Sequence, residues 1–287
     1  MPCEVSTFVE ILRNPKSAQR AAALNDLFRA AEGGCTYTVA EACLDLLQKD
    51  ELRLEEIAPH AGSILEYWNR VHAVAAQMQQ HGPDTEWILE DEYTAPRAEA
   101  ELLLDLLGYL PAEAVEPFLE EALRLPDPRL KCFAVTSLLR HGRVLDPDHI
   151  EYVAASHEMR LILMEQLQGM DLQWLMPERW SAPELLAASD LVRWAAHPNE
   201  LGVPPEEIEL MEIFQVGNEG ENPENIYLFR FREYPRPWAT GEGWMAGIAG
   251  PVKDGRSLGS PWSSFKRWDS MTPEEHFEKL YYRGSCC

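Results

Sequence analysis

Apolar residues recur at helical spacing through most of the first two hundred positions. Val5, Phe8, Val9 and Leu12 form one stripe; Leu24, Leu27 and Phe28 form another within residues 21–31. Asn14-Pro15 turns the chain between them, and Gly33-Gly34 stops the second. Thr38 opens a helix through Val39, Cys43, Leu46 and Leu47, which residues 57–59 break. Ser63 opens a longer one with Ile64, Trp68, Val71, Ala75 and Met78 on one side, ending before His81-Gly82-Pro83. Residues 98–110 turn Leu102, Leu103, Leu106, Leu107 and Leu110 inward.

The sharpest pattern comes next. From a start near Pro111, Val115, Phe118, Leu119, Ala122 and Leu123 fall at i, i+3, i+4, i+7 and i+8, and Glu113, Glu116, Glu120 and Glu121 occupy the rest of the helix. Leu125-Pro126-Asp127-Pro128 is a turn. Asp127 predicts an N-cap, because its carboxylate accepts from the unpaired N–H groups of the next turn, and Pro128 suits N1, where a missing N–H costs nothing. The following helix runs from Arg129 through Leu139 to a stop at Gly142 and is apolar on more than one side, as a helix between neighbours should be. Two weaker copies flank it. Ser17-Ala18-Gln19-Arg20 matches Pro128-Arg129-Leu130-Lys131 in position, and Arg160 and Leu167 lie 29 residues beyond Lys131 and Leu138. Asp146-Pro147 opens that later copy, with Ile150 and Val153 inward; Ser181-Ala182-Pro183-Glu184 reads as a capping box for a helix to about Ala196.

The unit of helix, proline turn and helix resembles a HEAT repeat. The residues that carry the likeness are Val115-Glu116-Pro117-Phe118-Leu119, Pro126-Asp127-Pro128-Arg129, Ala134-Val135 and Leu138-Leu139 before Gly142. The resemblance implies an α-solenoid that binds other proteins and is not itself an enzyme. After His197-Pro198 the pattern changes. Residues 226–232 alternate at period two, with Tyr227, Phe229 and Phe231 on one face and Ile226, Leu228, Arg230 and Arg232 on the other. Residues 208–216 and 244–249 read as further strands, and Thr272-Pro273-Glu274-Glu275 as a capping box before Phe277, Leu280 and Tyr281. The expected fold is mainly α: an irregular HEAT-like α-solenoid over residues 1–198, then a small β-rich α+β module over residues 199–287 that caps its end.

Charge narrows the function. The 287 residues hold 48 acidic and 25 basic side chains, a formal net charge of −23, and 34 of the acidic but only 16 of the basic ones precede position 201. Such a surface aids solubility; it also repels a nucleic-acid backbone or an anionic membrane and attracts a basic protein. Six cysteines without any Cys-x-x-Cys point to a reducing compartment, and neither a signal peptide nor a membrane span is visible, so the expected location is the cytoplasm. Cys286-Cys287 fits no prenylation box.

Chemistry is thin. Gly255-Arg256-Ser257-Leu258-Gly259 fits a nucleophile elbow in letters only, since Ser260-Pro261 follows where a helix is needed. Gly241-Glu242-Gly243 lacks a helix start to hold a phosphate. The eight histidines are scattered, and acid pairs such as Glu116 and Glu120 read as solvated faces. No cofactor, metal site or enzyme is expected. Residues 84–96 read as a loop or short helix inserted between repeats, with aromatic rings set among acids. The expected partner contacts are Glu86, Trp87, Glu90, Asp91, Glu92, Tyr93, Glu113, Glu116, Glu120 and Glu121. Acidity, helical repeats and the lack of a catalytic constellation together suggest a bacterial immunity or inhibitor protein that neutralises a basic toxin such as a nuclease. The alternatives are a scaffold or adaptor using Arg129, Lys131 and Arg140, and an enzyme of the C-terminal module using Ser257 or a surface lined by Trp238, Trp244 and Trp262.

Overall fold

Helix ends are the recurrent difficulty in a chain of short helices, and in this one buried arginines meet it. A computed structural model describes residues 5–78, 91–197, 200–202, 204–205, 207–217, 223–232, 243–253, 256–257 and 266–284. The chain divides into two compact units, Met1–His149 and Ile150–Cys287. The division falls before the expected boundary at residue 198, and the last helix ahead of that boundary, Pro183–Ala195, shares its core with the sheet.

The first unit holds α1 (Val5–Leu12), α2 (Arg20–Ala30), α3 (Thr36–Gln48), α4 (Leu54–Ile57), α5 (Ala61–Met78), α6 (Asp91–Leu107), α7 (Ala112–Ala122) and α8 (Pro128–Arg140). The Gly33-Gly34 stop is a kink: a wide turn over Ala31–Cys35 joins α2 to α3, and Gly34 breaks the helical path with φ 99°. Arg20 opens α2 from a buried position. It donates to the carbonyl oxygens of Leu12 and Glu51 and takes both oxygens of Glu56 at 3.0 and 2.9 Å.

Over 91–96 the structure corrects the reading of residues 84–96 as a loop or short inserted helix, since 91–96 belong to a long helix. The helix α6 already begins at Asp91 and carries Pro96 inside it; residues 84–90 lie outside the described residues. A proline there removes one helical hydrogen bond. The stripe Tyr93, Arg97, Ala100, Leu104 and Leu107 offsets that loss, because every member is buried. Arg97 escaped the sequence reading because a cation at an inward position looks like an exposed one. It reaches Asp127 through two parallel bonds, Nε to Oδ2 at 2.7 Å and a terminal nitrogen to Oδ1 at 3.0 Å. Asp127, fully buried, also accepts from the Arg129 N–H at 2.9 Å and so caps α8 as expected. Along α8, Leu130 and the run from Cys132 to Leu139 are all buried. The helix closes on Gly142 at φ 76°, with the Gly142 N–H on the Leu139 carbonyl and the Arg143 N–H on the Leu138 carbonyl.

In the second unit, among the described residues, α9 (Pro147–Ala155, which starts across the division), α10 (Arg160–Gly169), α11 (Pro183–Ala195) and α12 (Pro273–Gly284) accompany six strands. These are β1 (Glu207–Val216), β2 (Glu224–Arg232), β3 (Trp244–Ala249), β4 (Val252–Lys253), β5 (Arg256–Ser257) and β6 (Lys266–Arg267). The antiparallel sheet has the order β1-β2-β3-β6, with β4 and β5 as a separate pair. Both faces of β2 are buried. Tyr227, Phe229 and Phe231 meet Ala187, Ala188 and Leu191 of α11, while Ile226 and Leu228 meet Phe277 and Leu280 of α12. Gly247 on β3 allows the close approach of α11, since a Cβ there would lie 3.0 Å from Leu191 Cδ1 and from Phe231 Cε1.

The capping box at Thr272 is present: Glu275 N–H donates to Thr272 Oγ1 at 3.3 Å, and the Glu275 carboxylate takes the Thr272 N–H at 2.9 Å. The one at Ser181 is not. Ser181 ends the short turn Glu178–Trp180 and donates its hydroxyl to the Glu178 carbonyl at 2.8 Å, so Ala182 stands at the cap without a side-chain acceptor. Cys43 and Cys132 are free and buried, but Cys35 is disulfide-bonded, against the expectation that all six thiols stay reduced. Among the described residues, no helix is long and apolar enough to cross a membrane.

Asp127→Ala is expected to cost about 3–5 kcal/mol, because it strands the Arg97 charge in the core. The drop should be read in the urea midpoint of the first unit. Arg97→Met combined with Asp127→Ser removes both charges and keeps a cap, and should recover part of that loss. Equal losses in the two variants would mean that packing alone sets the cost. Gly247→Ala is expected to lower stability by about 1–3 kcal/mol through overpacking against Leu191, measured by the same titration of the second unit.

Candidate functional site

The packing of α6 against both α3 and α8 leaves a groove above it in the first unit. Tyr37 and Leu44 come from α3, Ala98, Glu101, Leu102 and Asp105 from α6, and Arg129 and Phe133 from α8. Together they enclose about 280 Å³. The spacing explains the lining. Tyr37, Glu41, Leu44 and Gln48 recur at i, i+4, i+7 and i+11, one face of α3; Glu101 and Asp105 are i, i+4 on α6.

Ion pairs brace the groove from below. Glu101 pairs with Arg129. Asp105, almost fully buried, takes Arg140 on Oδ1 at 3.2 Å and the Gln48 side-chain N–H on Oδ2 at 3.1 Å. Arg140 also lies 4.3 Å from the centre of the Tyr109 ring. Gly108 makes room for it, since a Cβ at that position would be 2.3 Å from an Arg140 nitrogen. Burial raises the Asp105 carboxyl above its ordinary value, and Arg140 and Gln48 offset that only in part. The Tyr37 hydroxyl is also raised, first by burial and then by Glu41, Glu101 and Glu99, with Arg129 opposing them.

The partner contacts expected from sequence divide four ways. Tyr93 is buried, and its hydroxyl donates to Asp127 Oδ2 at 3.3 Å, so it braces the core and cannot meet a partner. Asp91 and Glu92 fall in the first turn of α6. Glu86, Trp87 and Glu90 lie outside the described residues. On α7, Glu113, Glu120 and Glu121 are exposed and Glu116 is half-buried; Arg143 bridges Glu116 at 2.8 Å and Glu120 at 3.1 Å. Those two carboxylates are thus not simply solvated. The cations of the scaffold alternative are committed as well: Arg129 and Arg140 hold Glu101 and Asp105, and burial lowers the Lys131 ammonium below its ordinary value.

In the second unit, Arg230 pairs with Glu209 as the strand register predicts, Arg232 pairs with Glu207, and the Arg230 guanidinium lies 4.4 Å from the centre of the Trp244 ring. Ser257 sits in β5, paired with Val252. His276 is fully buried; its Nε2 accepts the Asp269 N–H at 3.4 Å and its ring stacks on Trp268 at 4.3 Å. Among the described residues, no group of three or more His, Cys, Asp or Glu side chains is placed to hold a metal ion.

Sequence reasoning missed the groove. The signal for it was the polar stripe on α3, where Tyr37, Glu41 and Gln48 share the helix face that carries Leu44 toward α6. No family model, no curated protein and no solved structure matches this chain.

Two carboxylates of this unit should respond oppositely to acid. Asp105 is raised in the folded state, so its contribution to stability is full below about pH 4 and lost as pH rises through its folded value. Glu56 is lowered to about 2, chiefly by its hydrogen bond from Arg20. Its contribution is full above its ordinary value and lost as pH falls toward 2. Urea midpoints measured between pH 3 and 7 should show Asp105→Asn gaining on the native chain as pH rises and Glu56→Gln losing.

Proposed function

We propose that this chain is a non-enzymatic protein-binding protein that takes a basic partner, its helical part a HEAT-like α-solenoid. In its most specific form it is an acidic immunity or inhibitor protein that neutralises a basic toxin such as a nuclease. The observation that carries the reading is the α7 surface: Glu113, Glu116, Glu120 and Glu121 lie along one helix, and Arg143 bridges two of them, Glu116 and Glu120, on a chain of net charge −23. Even with the exposed Arg124 counted beside Arg143, four carboxylates leave a local excess of negative charge. Such an excess raises the rate of encounter with a basic surface and presents acids where a nuclease expects phosphates. The exposed ion pairs cost little to rearrange, since each is worth about 0–1 kcal/mol. A cation of the partner can therefore displace Arg143 from these carboxylates.

The scaffold alternative needs available cations on α8, and the pairing of Arg129 and Arg140 with α6 weighs against it. The proposed compartment is the cytoplasm, on the free thiols of Cys43 and Cys132, although Cys35 is disulfide-bonded.

Capture from an extract of the cells of origin, on the tagged full chain, tests the reading. One stoichiometric basic protein, retained at about 50 mM salt and largely released at about 500 mM, is expected, as Debye screening shortens from more than 10 Å toward 4 Å. Several partners of mixed charge, indifferent to salt, would move the reading to a scaffold.

A further inference from the structure

The strand β1 stands at one edge of its sheet, and among the described residues no strand covers its outer side. An edge strand turns part of its backbone N–H and C=O groups outward with no ladder partner, so a long edge is a template for another strand. β1 is long, ten residues from Glu207 to Val216, and it holds no lysine, proline or glycine to block such pairing. Its acids guard it little. Glu207 and Glu209 pair with Arg232 and Arg230 of β2, which leaves Glu212 as the acid of the strand without an ion pair among the described residues. Leu210 and Ile213 are exposed at 41% and 46%, and no other large apolar side chain on a described strand is as open.

The two faces of β1 decide what the edge fits. Ile208, Leu210, Ile213 and Gln215 stand opposite Phe231, Phe229, Tyr227 and Asn225, and so share the face that α11 covers on β2. Glu207, Glu209, Glu212, Phe214 and Val216 lie on the α12 face, and Met211 packs there too. The bulge between Leu210 and Glu212 is what brings Met211 and Glu212 to one face. As a result β1 matches itself when run backwards. Laid antiparallel on a second copy over its full length, Leu210 faces Ile213 and Ile208 faces Gln215, all on the α11 side. Glu207 faces Val216, Glu209 faces Phe214 and Met211 faces Glu212, all on the α12 side. No acid faces an acid. Without the bulge, ten residues paired in this way would set odd positions against even ones, and each face against the other. A shift of one or two residues in either direction breaks the match at its centre.

We propose that two copies of this chain join edge to edge through β1, antiparallel about a two-fold axis that passes between Met211 and Glu212. The two sheets then run on as one, and Leu210 and Ile213 of each copy cover those of the other on the α11 side. The contact is the same patch on both copies and uses up the open edge of each, so assembly stops at two. A basic strand from another protein would find only Glu212 unpaired, whereas self-pairing matches all ten positions. The dimer is weak. One strand pair is a small contact beside the about 1,600 Å² of a standard interface. Two chains of net charge −23 also repel, and the two Glu212 side chains stand diagonally across the axis. Salt therefore strengthens this contact, the reverse of its effect on a basic partner.

Sedimentation equilibrium of the full chain from about 1 to about 300 μM tests this, because a weak dimer fills only near its dissociation constant. The expected result is monomer at the low end and dimer at the high end, with tighter association at about 500 mM salt than at about 50 mM. Leu210→Lys and Ile213→Glu change exposed side chains and should leave the urea midpoint nearly unchanged. Each should weaken the dimer by about tenfold or more. Mixed in equal amounts, the two variants should associate more tightly than either does alone, because the ammonium introduced at 210 of one meets the carboxylate introduced at 213 of the other. Glu212→Gln should tighten the dimer. Monomer at every concentration, a dimer unmoved by both single variants, or a mixture no tighter than its components would overturn the proposal. So would a chain that stays monomeric but loses a captured basic partner with both Leu210→Lys and Ile213→Glu, since the edge would then belong to a strand of that partner.

Discussion

Three arginine side chains with almost no exposed area hold the helix ends of this protein, and the remaining packing depends on them. Taking a guanidinium out of water costs several kcal/mol, and the cost is recovered only where its N–H groups all find acceptors. Helix C-termini offer such acceptors, because their last carbonyls lack partners and carry partial negative charge. Arg20 opens α2 and donates to Leu12, the last residue of α1. Arg160 opens α10 and donates to Ala154 and Ala155, which close α9, and to the Leu185 carbonyl. Burial lowers the Arg160 guanidinium to about 10, which leaves it charged at neutral pH, and the Trp180 ring covers it at 4.7 Å. The same device thus recurs in both units, at positions that the sequence already aligned with each other.

Lys131, the third aligned residue, departs from the pattern for a physical reason. It is the fourth residue of α8, whereas Arg20 and Arg160 are the first residues of their helices. The Arg97–Asp127 pair does that work between α6 and α8, and Tyr93 completes it. The loss of Tyr93 as a partner contact follows directly. A ring placed to satisfy a buried carboxylate is no longer available at the surface.

Much of the helical layout was legible because period and punctuation agree. The Asp127-Pro128 cap, the Gly142 stop and the Thr272 capping box each combine a local chemical signal with an apolar stripe. The Tyr227, Phe229 and Phe231 face of β2 was legible for the same reason. Ser181 failed because it still closes the Glu178–Trp180 turn and the helix opens one residue later, with Ala182 at the cap and Pro183 as its first residue. The extent of α6 was missed because Arg97 and Pro96 both look like surface or breaker residues until their partners are known. The division after His149 was missed because α11 reads as one more repeat helix, while its Ala187, Ala188 and Leu191 face matches the aromatic face of β2. On α7, Arg143 lies 27 and 23 positions from Glu116 and Glu120, too far for sequence spacing to pair them.

In the proposed binding, the exposed carboxylates on α7 act on a basic partner at a distance set by salt. The most direct measurement is the association rate constant of the native chain with its isolated basic partner across ionic strength, beside Glu113→Lys combined with Glu121→Lys. A rate that falls steeply with salt, and at least tenfold at low salt on charge reversal, is the predicted result. A rate indifferent to both would contradict electrostatic capture by the acidic face.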